Sequence, residues 1–121
     1  MSKKIMIIDD SDVFRKVVSV YLKGSNYEIL EASNGEEALK KLSETKVNLI
    51  ICDVNMPVMD GLTFLTKVKA EPNNKFTPTV MLTTESQEEK KKEGMEKGAK
   101  AWLVKPFSPQ QLLSAISRLI I

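Results

Sequence analysis

Five short apolar runs, each ending in polar residues and each followed by an amphipathic segment, leave this chain few folds to choose from. The runs are Lys4–Ile8, Tyr27–Ala32, Val47–Cys52, Thr79–Thr83 and Ala101–Val104. They are strand-length and rich in Ile, Val and Leu. Between and after them, apolar residues return at helical spacing: Val13, Phe14, Val17, Val18, Tyr21 and Leu22; Ala38, Leu39 and Leu42; Leu62, Leu65 and Val68; and Leu112, Leu113, Ile116, Leu119 and Ile120. Glu85 to Lys97 reads as a further helix. Such alternation predicts a doubly wound (βα)5 α/β fold, a parallel five-stranded sheet with helices on both faces, in one domain over residues 1–121. The run VNLIIC is nearly continuous, as in a strand covered on both sides. YEILEA alternates in part, which places it nearer an edge.

Helix starts carry chemical marks. Ser108-Pro109-Gln110-Gln111 combines a capping serine, proline at the first helical position and glutamine at the third. Asn34-x-x-Glu37 and Ser86-x-x-Glu89 resemble capping boxes. The fourth helix is the poor one: EEKKKEGMEKG has little apolar stripe beyond Met95, and Gly94 in an exposed helix costs about 1 kcal/mol relative to alanine. It is expected to be loosely held, with Lys90, Lys91 and Lys92 on a solvated face.

The polar residues that follow the runs carry the functional reading. The first run is followed by Asp9-Asp10, the third by Asp53, the fourth ends in Thr83 with Thr84 after it, and the fifth is followed by Lys105. In an open parallel sheet the carboxyl ends lie along one edge, where ligands bind. Three carboxylates, a hydroxyl and an ammonium therefore converge. Two carboxylates about 4 Å apart repel by about 4 kcal/mol at an effective dielectric near 20. Lys105 offsets part of that. A hard dication offsets more, and carboxylates with waters and a phosphate are the usual surroundings of Mg²⁺. A carboxylate beside Mg²⁺ and lysine can attack phosphorus, which gives Asp53 the role of phosphoryl acceptor.

Composition narrows the alternatives. The 121 residues include no histidine, so Ser-His triads, histidine-ligated zinc and histidine bases are all excluded. The one cysteine, Cys52, cannot pair internally and reads as a core residue. Pro57 and Gly61 are read as shaping the loop after Asp53, proline by fixing φ and glycine by admitting φ values that other residues resist. With no long apolar run and no signal-peptide pattern, the expectation is a cytoplasmic chain without membrane contact. A net charge of +2 argues against a nucleic-acid partner.

Four motifs in this order resemble the receiver domain of two-component response regulators over essentially the whole chain: the acid pair Asp9-Asp10, DVNMPVMDG from Asp53, Thr83 after the fourth strand, and KPF at Lys105–Phe107. The chain looks most like the stand-alone chemotaxis (CheY-like) type. The resemblance implies the flavodoxin-like strand order 2-1-3-4-5 and phosphorylation of Asp53 by the phosphohistidine of a histidine kinase. It implies Mg²⁺ held by Asp10, by Asp53, by the Asn55 backbone carbonyl and, through water, by Asp9. Lys105 would pair with Asp53 and then with the phosphoryl group, and the Lys105-Pro106 bond would be cis. Thr83 would turn inward toward the phosphoryl oxygen and Trp102, at the aromatic switch position, would rotate with it. The fourth helix, fifth strand and fifth helix would then present a changed surface to a target, such as a flagellar switch or another signalling protein.

Asn55, Glu85 and Thr84 would tune the loss of the phosphoryl group, with a lifetime of seconds to minutes. Thr84 departs from the smaller residue many receivers carry there. A degenerate receiver that binds partners without phosphorylation is the alternative. A phosphohydrolase would want an acid where Asn55 stands, and a flavin carrier a phosphate loop that DDSDVF does not supply.

Overall fold

The computed structural model describes residues 2–84 and 88–121. Strands and helices alternate throughout: β1 (Lys3–Ile8), α1 (Asp12–Leu22), β2 (Tyr27–Ala32), α2 (Gly35–Glu44), β3 (Leu49–Asp53), α3 (Gly61–Lys69), β4 (Thr79–Thr83), α4 (Glu88–Glu96), β5 (Ala101–Val104) and α5 (Pro109–Leu119). The five strands are parallel in the order β2-β1-β3-β4-β5. The expected fold and strand order are both present. β2 lies at one edge, as its partial alternation suggested, and β5 at the other.

Residue parity along each strand divides the core into two layers. Met6, Ile8, Ile50, Cys52 and Met81 face one way, against Ala38 and Leu42 of α2 and Phe64, Leu65 and Val68 of α3. Ile5, Ile7, Leu49, Ile51, Val80 and Leu82 face the other way, against Val18 and Leu22 of α1 and Leu112 and Ile116 of α5. Every residue of β3 and β4 is buried, because helices cover both faces. Each large side chain removed from water this way contributes roughly 1.5–3 kcal/mol. The α1 stripe is narrower than its sequence suggests: Val13 and Val17 stay exposed, Val18 and Leu22 are buried, and Phe14 and Tyr21 pack partly buried beside them.

Among the described residues, four helix N-termini are capped by side chains that accept otherwise unpaired backbone N–H groups. Ser11 accepts from Phe14 N–H, Asn34 from Glu37 N–H, Asp60 from Thr63 N–H and Ser108 from Gln111 N–H. The Ser108–Gln111 box is complete in both directions. The Asn34–Glu37 box forms by half. Glu37 instead accepts from the Ser33 hydroxyl at 2.9 Å and pairs with Lys41, contacts that hold its carboxyl below the ordinary range. The expected Ser86 cap falls outside the described residues.

Two glycines have different reasons from those the sequence suggests. Gly94 is buried rather than exposed, and a Cβ there would lie 2.7 Å from Cζ3 of Trp102. Its missing side chain is the notch that admits the indole of β5 beneath α4. Gly61 does not supply a left-handed φ; that conformation falls on Val58, at φ 69°. A Cβ on Gly61 would instead lie 2.2 Å from the carbonyl oxygen of Asp53. Glycine there lets α3 start directly against the end of β3.

The notch makes a prediction of opposite signs. Helix propensity alone says that Gly94→Ala stabilises by about 1 kcal/mol. Overpacking against the indole costs about 1–3 kcal/mol, so the single substitution is expected to destabilise. In a Trp102→Ala background the same substitution is expected to stabilise by about 1 kcal/mol. Denaturant titration of the four proteins in this cycle checks the reversal.

Candidate functional site

Register brings the polar residues together. Ile8 pairs with Cys52, so Asp9 and Asp53 leave adjacent strands at the same level. Thr83 pairs with Val104, which puts Lys105 just past the end of β4. Carboxylate oxygens of Asp9, Asp10 and Asp53 lie within 4.8 Å of one another. Asp9 and Asp53 are buried, at 1% and 7% exposure, and Asp10 is exposed. At such separations each carboxylate pair repels by about 3 kcal/mol at an effective dielectric near 20.

Among the described residues, Lys105 supplies the ammonium that reaches these carboxylates. Its Nζ lies 2.9 Å from Asp9 Oδ2 and 3.7 Å from Asp53 Oδ1. The expected pair with Asp53 is thus present, but Asp9 is the nearer partner. Asp9 has both oxygens engaged, since Oδ1 accepts the backbone N–H of Ser11 at 2.9 Å. The Lys105-Pro106 peptide bond is cis. The Lys105 N–H donates to the Thr83 carbonyl at 2.6 Å, tying the lysine's backbone to the end of β4.

Burial pushes the Asp53 carboxyl up from 3.8 to about 6. The Lys105 ammonium and the backbone N–H of Asn55 oppose this; the charges of Asp9 and Asp10 add to it. Cys52, one residue back, is fully buried in the core, and burial pushes its thiol well up; the thiol donates to the Asp53 carbonyl. It is a core residue, as expected.

The remaining predicted site residues spread around the rim. Thr83 is buried at the end of β4, and Thr84 is exposed beside Phe14, Lys105 and Phe107. Asn55 is exposed in the loop after β3 and lines a groove of about 470 Å³ with Asp60, Lys90 and Glu93. Lys90 is half-buried there, while Lys91 and Lys92 are exposed. Trp102 is not at the rim: its indole packs with the core layer of α2 and α3 and against Gly94, and its N–H is buried with no hydrogen-bond partner among the described residues. Glu85 lies outside the described residues.

Two residues that sequence reasoning passed over touch the site. Arg15 of α1 donates to the carbonyl of Asp9 and to the Asp12 carboxylate, and its Nε donates to Glu31 Oε1 at 3.0 Å. It pins the acid-pair loop to α1 and to the end of β2. Phe14 places its ring 3.9 Å from Lys105 Nζ. Both stand on the first turn of a helix that starts directly after the acid pair, and that position was the available signal. Phe14 was absorbed into the apolar stripe, and a lone arginine on an amphipathic helix carries no mark of its own.

The model of the response regulator receiver domain family matches residues 5–117. This chain belongs to that family. As a receiver it is a signalling domain of two-component systems. The receiver is similar to the chemotaxis protein CheY4 of Vibrio cholerae, with 45% identity and a TM-score of 0.94 over 99% of this chain and 100% of that one. It is 39% identical over 120 residues to the transcriptional regulatory protein SrrA of Staphylococcus aureus. That match takes 99% of this chain and 48% of SrrA, so the receiver spans about half the length of the curated relatives it matches. The receiver domain of sensor histidine kinase PA1611 from Pseudomonas aeruginosa shares the fold at 22% identity and a TM-score of 0.90; its structure has a magnesium ion coordinated in the active-site cleft. No helix among the described residues is long and apolar enough to cross a membrane.

The donor set of this receiver fits a hard dication: three carboxylates, two of them buried, with only oxygen on offer. The raised Asp53 carboxyl has a measurable consequence. Its folded-state value lies above the unfolded one, so the folded chain holds the proton more tightly and loses stability as pH rises through about 6. In magnesium-free buffer at pH 7, Asp53→Asn is expected to melt higher than wild type by on the order of 3–6 °C. The gap closes toward pH 4, where the wild-type carboxyl is protonated. Scanning calorimetry across this pH range checks it, and a gap independent of pH would contradict it.

Proposed function

We propose that this receiver takes a phosphoryl group from the phosphohistidine of a histidine kinase onto Asp53, changes its α4–β5–α5 surface, and then removes the group itself. The observation that carries the reading is the placement of the Asp53 carboxylate beside Asp9, Asp10 and the Lys105 ammonium. An Asp53 oxygen attacks phosphorus, the phosphorus–nitrogen bond breaks, and the departing imidazole keeps the electron pair. Lys105 moves from the carboxylates to the oxygens of the arriving group. Mg²⁺, held by Asp10, Asp53 and the Asn55 carbonyl and through water by Asp9, would neutralise charge on those oxygens when bound. The engagement of both Asp9 oxygens supports an indirect role for that residue.

Thr83 and Trp102 transmit the change. A phosphoryl group offers acceptors that Thr83 reaches in one state only, and a ligand shifts an equilibrium only through such a preference. The indole N–H of Trp102, buried and without a hydrogen-bond partner among the described residues, supports a second position for this side chain. An unmet buried donor costs about 1–3 kcal/mol, which a rotation toward water recovers. Since Gly94 holds the indole against α4, rotation of the ring changes what α4 rests on. Asn55, Thr84 and Glu85 set how quickly water removes the group, and the aspartyl phosphate lasts seconds to minutes.

A chemotaxis-type role in the cytoplasm, with a flagellar switch or another signalling protein as target, is supported by the likeness to CheY4 over that chain's whole length. We read residues 1–121 as one receiver domain. The acidic rim speaks against a degenerate receiver that works without phosphorylation.

With Mg²⁺ and acetyl phosphate, intact mass is expected to show the gain of one phosphoryl group. Asp53→Asn abolishes the gain, and Lys105→Met slows it by on the order of 10–100-fold, the loss expected of one charge-stabilising donor. A wild-type chain of unchanged mass would contradict the reading.

A further inference from the structure

Among the described residues, two carboxylates and one aromatic ring meet the ammonium of Lys105. Asp9 Oδ2 lies at 2.9 Å, Asp53 Oδ1 at 3.7 Å, and the ring of Phe14 faces the nitrogen at 3.9 Å from its centroid. The lysine side chain is only 15% exposed, so the ring occupies a side of the ammonium that water would otherwise take. A cation over an aromatic face is drawn to the ring's negative quadrupole, most strongly where water is excluded.

The ring is itself held. Phe107, two residues after Lys105, meets it edge-on at 6.1 Å and 90°, and meets Tyr21 of α1 at 6.5 Å and 76°. The plane of Phe14 is therefore set by the same β5–α5 loop that carries the lysine. A lysine needs such a fixture. Its ammonium is a compact charge on a flexible four-carbon stem, unlike the pre-organised fork of arginine. Left to the carboxylates alone, it would follow Asp9, the nearer of the two.

We propose that Phe14 is a positioning residue for Lys105: its ring face holds the ammonium in the span between Asp9 and Asp53, ready to meet the oxygens of the incoming phosphoryl group. This rests on the phosphoryl-acceptor reading above. The group-transfer step is unchanged; Phe14 makes or breaks no bond and acts through the lysine.

The test separates an aromatic face from mere bulk. In the wild-type chain, the ε-methylene protons of Lys105 are expected to show an upfield ring-current shift by NMR, lost in Phe14→Leu and kept in Phe14→Tyr. With saturating Mg²⁺ and acetyl phosphate, Phe14→Leu is expected to slow phosphorylation about 3- to 30-fold, while Phe14→Tyr stays within about 2-fold of wild type. In a Lys105→Met background, Phe14→Leu makes no further difference, whereas a packing defect would slow both backgrounds alike. An unshifted Lys105 resonance, an equal rate in Phe14→Leu, or an equal loss in both backgrounds overturns the proposal and leaves the acceptor reading standing. A wild-type chain that takes up no phosphoryl group overturns both.

Discussion

Asp9 and Asp53 sit nearly out of water on neighbouring strands, and the ammonium of Lys105 spans them. Everything distinctive about this rim follows from that arrangement. Burial and mutual repulsion make the carboxylates costly, and burial pushes Asp53 up to about 6. The Lys105 ammonium reaches Asp9 best, Asp53 at longer range, and leaves the exposed Asp10 to solvent or to a cation. A site so short of positive charge favours whatever brings more of it. On the proposed phosphoryl-acceptor reading, it also holds the attacking oxygen of Asp53 where the charge of an arriving phosphoryl group is already opposed.

The sheet is what makes this cost bearable. The two apolar layers bury β3 and β4 on both faces, so the rim is bought with stability generated below it. Parallel pairing puts the ends of β1, β3 and β4 at one level, and the backbone hydrogen bond from Lys105 to Thr83 brings the lysine to the same place. Arg15 fixes the acid-pair loop from one side, and Gly61 lets α3 abut the end of β3 from the other. The links run on to α4, because the indole of Trp102 rests in the notch of Gly94.

Much of this was legible in the residues. Five runs with helical spacing between them specify alternating strands and helices, and the polar residue after each run marks the rim. Strand order came from resemblance to a family, since periodicity does not say which strand neighbours which. What escaped were features created by a partner distant in sequence. Gly94 read as an exposed weakness because its reason, Trp102, arrives from another strand. Gly61 read as a φ requirement because the carbonyl of Asp53 that crowds it becomes visible only in three dimensions. Lys105 was paired with Asp53 alone, although Asp9 is nearer, and the ring of Phe14 looked like one more apolar position on α1.

The most direct measurement of the central claim is a calorimetric titration of Mg²⁺ into the wild-type chain and into Lys105→Met. If the ammonium and a dication compete for the same crowded carboxylates, wild type binds the metal and the variant binds it tighter, by about tenfold or about 1.4 kcal/mol. No binding to either protein, or binding lost together with the lysine, would contradict the account.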